Sequence, residues 1–167
     1  ARTAAPYATS LRVNPPLRSV DDAAACRAAL VDGTVDAIAT DHAPHASVDK
    51  DVEFGLAANG ISGLETALGV VLAMVDAGLV PLERAIQLLT AAPAGILGPR
   101  AGIVPGLVEG SPADLVVFDR SAGWTVTDDA LASRGKNTPL LGHELRGTVL
   151  LTIAGGRVAF EASDPEA

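Results

Sequence analysis

The run Thr40-Asp41-His42-Ala43-Pro44-His45 places a carboxylate and two imidazoles within five residues, directly after the apolar segment Val35–Thr40. Read as a short strand that ends in polar and proline residues, this segment puts proton-transferring or metal-binding groups at a strand mouth, where barrel folds carry their chemistry. A carboxylate there can ligate a divalent cation through one oxygen and still take a proton from water activated by the metal. Asp41 is therefore the candidate general base and metal ligand. On spacing alone, an Asp-His pair in a turn is equally a local hydrogen-bonding arrangement, which is the commoner use of such residues.

The elements that must hold this run are legible in outline. Upstream, the prolines of Asn14-Pro15-Pro16-Leu17-Arg18 forbid helix and predict a stiff extended loop over 14–18. Ser19 or Asp21 can cap the following run DDAAACRAALVDG, which predicts a helix of about three turns closing on Gly33. Residues 47–63 show little periodicity and predict a long loop serving a site, one that could close over a ligand. Two helices are expected next, one from Gly63 to Gly78 and one through PLERAIQLLTAAPAGILG with Pro81 in its first turn. After Gly98 the composition turns to short strands and glycine turns. The expected organisation is a helical and strand-bearing unit over 1–97 and a small β-unit over 98–167.

Composition excludes several classes. The chain has 167 residues, 49% apolar, enough for a core, so disorder is not expected. A net charge of −8 with no run of like sign makes nucleic acid and anionic membranes poor partners. The longest apolar stretch, near residues 67–75, is too short to span a bilayer, and the N-terminus lacks the apolar core of a signal peptide. The one cysteine, Cys26, excludes an internal disulfide and suits a reducing cytoplasm. The first residue is alanine, and the chain is expected to be a piece of a longer protein.

NPPLR (Asn14 to Arg18), DGTVDAIATDHAPH (Asp32 to His45) and GISGLETALG (Gly60 to Gly69), in this order and spacing, resemble dihydroorotases of the class I bacterial type. KNTPLLG (Lys136 to Gly142), ADLVVFD (Ala113 to Asp119) and the final GGRV extend the likeness over nearly the whole chain. The resemblance implies an α/β fold: the C-terminal portion of a TIM-type (β/α)8 metal-dependent hydrolase barrel, with Val35–Thr40 as its last strand, plus part of a small β-sandwich. It implies reversible hydrolysis of the cyclic amide of (S)-dihydroorotate to N-carbamoyl-L-aspartate in pyrimidine biosynthesis. It also implies a binuclear zinc centre whose other ligands, an HxH pair among them, are absent from this sequence. Such a piece alone is expected to be inactive.

Residue by residue, the resemblance makes Asp41 the metal-binding catalytic aspartate. Asn14 matches an asparagine that hydrogen-bonds the pyrimidine ring, and His45 a histidine that contacts the substrate carboxylate. Asn59 and Gly60 match a backbone pair that contacts the ring, although an aromatic or proline-flanked residue is expected where Asn59 stands. His42 is assigned no substrate contact and is expected to be structural. Glu65 is read as a complement to a helix dipole. Lys136, Asn137 and His143 are read as surface, and Trp124 as part of a β-unit core or a packing contact with the barrel. A homodimer or an association with aspartate transcarbamoylase is the partner expectation. Two rival functions stay open: a non-catalytic dihydroorotase-like subunit scaffolding aspartate transcarbamoylase, and another cyclic-amide hydrolase such as an allantoinase or dihydropyrimidinase.

Overall fold

A computed structural model describes residues 7–104 and 106–163. The outermost residues of both expected units lie outside that range. In chain order the elements are α1 (Val20–Asp32), α2 (Ser47–Lys50), α3 (Ala67–Asp76), α4 (Leu82–Leu89), α5 (Ala91–Leu97), β1 (Leu115–Thr125), β2 (Glu144–Ala154) and β3 (Arg157–Glu161).

Helix α1 starts as its sequence dictates. The Ser19 hydroxyl receives the Asp22 N–H and the Asp22 carboxylate receives the Ser19 N–H, a reciprocal capping box, and Gly33 closes the helix in the left-handed region at φ 86°. Arg84 of α4 ties this helix to the extended segment after it, donating from Nε to the Leu30 carbonyl and from Nη2 to that of Val35. A guanidinium at a helix C-terminus satisfies a carbonyl the helix leaves orphaned.

Several expectations are corrected here. Val35–Thr40 runs extended but forms no strand; its interior N–H at Ile38 goes to the Leu88 carbonyl of α4, and no ladder partner exists among the described residues. A strand is a pairing rather than a conformation, so apolar pattern alone does not make one. The single helix expected after Pro81 is two, because Pro93 lacks an N–H and its ring collides with the carbonyl four residues back, at Leu89. The chain breaks there, at Thr90 (φ −130°, ψ −86°), and Pro81 sits at the cap position before α4. Residues 47–63 are not a plain loop, since α2 opens them. The helix expected from Gly63 starts only at Ala67.

Val71, Val80 and Ala85 form a buried cluster, with Leu30, Ile38, Met74, Val75 and Leu89 packed around them. The extended segment before Asp41 is thus held by α3 and α4 rather than by a sheet. β1, β2 and β3 make one antiparallel sheet in that order, and β2 turns into β3 through Gly155 and Gly156, both at positive φ. Irregular pairing between Asp119 and Gly123 is stabilised by the Asp119 carboxylate, which accepts the Ser121 N–H at 2.7 Å and the Ala122 N–H at 3.1 Å.

The sheet meets the helices along α3. Gly69 lies against Leu145 and Arg146, and Gly147 against Leu68 and Leu72. Asp76, at the end of α3, pairs with Arg120 at 3.0 Å and more loosely with Arg146 at 3.7 Å. The contact depends on glycine: a Cβ on Gly147 would stand 2.5 Å from Leu72 Cδ1, at a φ of 96° that side chains rarely adopt. Gly147→Ala is therefore expected to lower unfolding free energy by about 2–4 kcal/mol. Gly142→Ala, also at positive φ but with open space around it, should lose only about 1 kcal/mol. Equal losses in denaturant titrations of the two variants would contradict the packing role of Gly147.

Candidate active site

Three remote segments converge on the Asp41–His45 run. Residues 60–63 run beside it, with a parallel bridge between His42 and Ile61 and the Ala43 N–H donated to the Ile61 carbonyl at 2.9 Å. Residues 133–137 close over it from the far end of the chain. Residues 9–12 approach from the other side, where the Gly60 N–H donates to the Arg12 carbonyl at 2.9 Å.

Asp41 is exposed, and its carboxylate has no hydrogen-bond partner among the described residues. Its backbone is left-handed at φ 45°, unusual for a residue with a side chain. His42 has both ring nitrogens engaged by the protein. Its Nδ1 accepts the N–H groups of Gly63 (3.2 Å) and Leu64 (3.1 Å), so the ring proton sits on Nε2 and donates to Ser133 Oγ at 3.2 Å. Both N–H groups so engaged precede α3.

His45 meets Asn59 directly. Its Nε2 lies 2.9 Å from the Asn59 carbonyl, which requires the proton on that nitrogen and leaves Nδ1 for a ligand. Gly60 comes next in the left-handed region at φ 120°, and a Cβ there would lie 2.5 Å from that of Ala43. His45, Asn59 and Gly60 are therefore brought together. Asn14 is exposed and makes no hydrogen bond among the described residues. It joins the group only through the chain, two residues beyond Arg12, whose Nε donates to Asn59 Oδ1 at 3.0 Å.

Two residues read as bland prove to be organisers. Asn137 is no surface residue: its side chain bonds to the backbones of His45, Ala43 and Gly60. Lys136 is half-buried and donates to the Leu131 carbonyl. Glu65 lies outside any helix. Its Oε1 accepts the Ser133 N–H at 2.7 Å, and its buried Oε2 has no partner among the described residues. His143 is half-buried rather than exposed, and Trp124 is half-buried in β1.

Arg12 and Lys50 were not singled out by sequence reasoning. Lys50 is 7% exposed, and its ammonium donates to the carbonyls of Thr9 (3.0 Å), Arg12 (3.3 Å) and Ala58 (2.7 Å). Burial, and then the neighbouring Arg12 charge, lower its pKa from the ordinary lysine value. Arg12 also donates to the Phe54 carbonyl and lies over the Phe54 ring, 5.8 Å from its centre. These two cations fasten residues 51–59 to the start of the chain. The only sequence signal was a lysine in a stretch otherwise read as loop.

The described residues do not make a metal centre by themselves. No group of three or more His, Cys, Asp or Glu side chains among them converges, His42 has both ring nitrogens engaged, and His45 has one. A zinc site needs three or four convergent donors, and Asp41 offers one free carboxylate.

Known proteins share both the sequence and the fold. Residues 6–160 match the model of the amidohydrolase family. A dihydroorotase of Anaeromyxobacter dehalogenans is 52% identical over 155 residues, covering 93% of this chain and 35% of that protein. A dihydroorotase of Pelobacter propionicus is 47% identical over 154 residues, covering 92% and 36%. The chain thus spans little more than a third of the length of the curated relatives it matches. An L-hydantoinase (dihydropyrimidinase) from Arthrobacter aurescens superposes with a TM-score of 0.85 at 30% identity, over 95% of this chain and 36% of that one. A D-hydantoinase at 22% identity superposes with a TM-score of 0.78 over 92% of this chain and 34% of its own length, a likeness of fold. The expected fold, a portion of a barrel hydrolase with a small β-unit, stands. No helix among the described residues is long and apolar enough to cross a membrane.

Glu65 yields a pH prediction. Burial alone would raise its pKa, but the Ser133 hydrogen bonds, with smaller help from its own backbone and His42, leave it below the ordinary value of 4.5. A carboxylate with a depressed folded-state pKa stabilises fully above its unfolded value and loses that contribution as pH falls through the folded one. Below about pH 4.5, therefore, wild type should lose unfolding free energy more steeply than Glu65→Gln. Parallel pH profiles from denaturant titration would contradict the Glu65 assignment.

Proposed function

Because the chain belongs to the amidohydrolase family, we propose that the whole protein is a dihydroorotase. It hydrolyses, reversibly, the cyclic amide of (S)-dihydroorotate to N-carbamoyl-L-aspartate in pyrimidine biosynthesis. The observation that carries the reading is the pairing of His45 with Asn59-Gly60 beside Asp41, in a chain 52% identical to a dihydroorotase over 93% of its length. In its imidazolium form His45 donates from Nε2 to Asn59 and from the free Nδ1 to a substrate carboxylate, and an adjacent backbone pair suits a planar ring amide.

In this reading water adds to the ring carbonyl carbon and the carbon–nitrogen bond breaks, its electron pair passing to nitrogen. Asp41 takes the proton from water and returns it to the departing nitrogen. An exposed carboxylate without a hydrogen-bond partner among the described residues is free to do both. Asn14 contributes a side-chain amide to the ring, while His45, Asn59 and Gly60 hold the carboxylate and ring edge. Zinc belongs to the same proposal for the whole protein, with Asp41 as the ligand from this chain. A cytoplasmic setting, and association with itself or with aspartate transcarbamoylase, extend the proposal. Size-exclusion of the full-length protein with and without that enzyme tests the association.

The second reading is a dihydropyrimidinase-type hydrolase, favoured by the 30% identical L-hydantoinase. Dihydroorotate carries a ring carboxylate that dihydrouracil and hydantoin lack, so turnover of the three by the full-length protein separates the two readings. Replacing Asp41 with Asn should lower dihydroorotate turnover by about a thousandfold or more, since proton transfer and metal binding fail together. Retention of a tenth of wild-type activity would remove Asp41 from the mechanism.

A further inference from the structure

We propose that Asn137 is a positioning residue, whose single side-chain amide fixes His45 and Gly60 relative to one another. This rests on the hydrolase reading, in which both residues face substrate. Asn137 Oδ1 accepts the His45 N–H at 2.7 Å and lies 3.1 Å from Ser62 Oγ. Its Nδ2 donates to the carbonyls of Ala43 at 3.0 Å and Gly60 at 3.2 Å. The amide thereby uses both its donors and accepts the His45 N–H, and its backbone carbonyl accepts the Ser62 N–H at 3.0 Å as well.

No other side chain of this length supplies two donors and an acceptor in one plane. Aspartate would turn acceptor oxygens toward the Ala43 and Gly60 carbonyls, and alanine would leave those carbonyls and the His45 N–H without their partner. The segment carrying Asn137 is itself seated without slack. A Cβ on Gly135 would lie 2.6 Å from the His45 nitrogen and 2.7 Å from its oxygen, and Ser62 Oγ, 1% exposed as a residue, donates to the Gly135 carbonyl at 2.6 Å. The groups Asn137 touches are the backbones of residues assigned to substrate and of Ala43 between them and the base. The Asp41 carboxylate is not among its partners, so its loss should weaken substrate capture more than proton transfer.

The test uses the full-length protein. Asn137→Ala and the near-isosteric Asn137→Asp should each raise KM for dihydroorotate by about tenfold or more, with kcat within about threefold of wild type. In a His45→Ala background, Asn137→Ala should raise KM by less than it does in wild type, because the part of its effect that runs through the His45 ring is already gone while the part through Gly60 remains. A fall in kcat at unchanged KM, or effects that multiply in the double variant, would overturn the proposal. If Asn137→Ala loses cooperative melting, Asn137→Asp carries the test. Hydrogen exchange at the His45 amide reads the clamp without turnover: it should quicken in Asn137→Ala, and an unchanged rate overturns the proposal. Wild type that fails to hydrolyse dihydroorotate sinks the functional reading alone, and the exchange rate then decides on Asn137.

Discussion

Irregular backbone at a site has no helix or ladder to absorb its N–H and C=O groups, and each one left unpaired away from water costs roughly as much as a lost hydrogen bond. The candidate site consists almost wholly of such backbone. Three side chains carry much of the pairing: Lys50 takes three carbonyls, Asn137 two carbonyls and an N–H, and His42 two N–H groups. Each is matched in donors or acceptors to the groups it meets: an ammonium to carbonyls alone, an amide to both kinds, an imidazole lone pair to N–H groups. Residues that would be solvated elsewhere act here as replacements for secondary structure.

This pairing ties the site to elements with no catalytic residues. Residues 133–137 come after β1, and β1 pairs with β2, which packs on α3 through Gly69 and Gly147. Helix α3 in turn continues directly from Gly63, Leu64 and Glu65, the stretch that His42 and Ser133 hold. The β-sheet and the Asp41–His45 run are thus two ends of one loop of contacts, closed by the bonds of Ser133 and Asn137.

The features that could be read in the sequence were those that depend on near neighbours. The Ser19 cap and the Gly33 stop lie within one helix, and the β2–β3 turn within four residues, so their types alone decide them. Val35–Thr40 failed because a strand depends on a partner, and the N–H of Ile38 found a helix carbonyl instead. The break at Thr90 was readable from Pro93, but helical apolar spacing continues across it and masks the signal. Of the candidate site, Asp41 was singled out by its position and its neighbours by resemblance, whereas the contacts of Asn137 and Lys50 were not foreseen: the carbonyls Asn137 meets lie 94 and 77 residues away, and those of Lys50 up to 41. Polar residues whose worth is set by distant backbone look like ordinary loop residues until the fold is known.

The conformation of Asp41 shows how such pairing and chemistry join. A left-handed φ at a non-glycine residue is held only where the surroundings over-determine it, and Asp tolerates it better than most. Directly after Asp41 come the His42–Ile61 bridge and a ring anchored at both nitrogens, to residues 63 and 64 on one side and Ser133 on the other. With the His42 ring anchored, the chain turns at Asp41 as it leaves the segment that runs over α3 and α4. That turn sets the carboxylate facing outward with no partner among the described residues. A general base needs its oxygens unengaged and its backbone fixed, two demands that ordinarily conflict because the bonds that fix a side chain also occupy it. In the proposed mechanism the conflict is avoided by division of labour: His42 takes the bonds, and Asp41 keeps its oxygens.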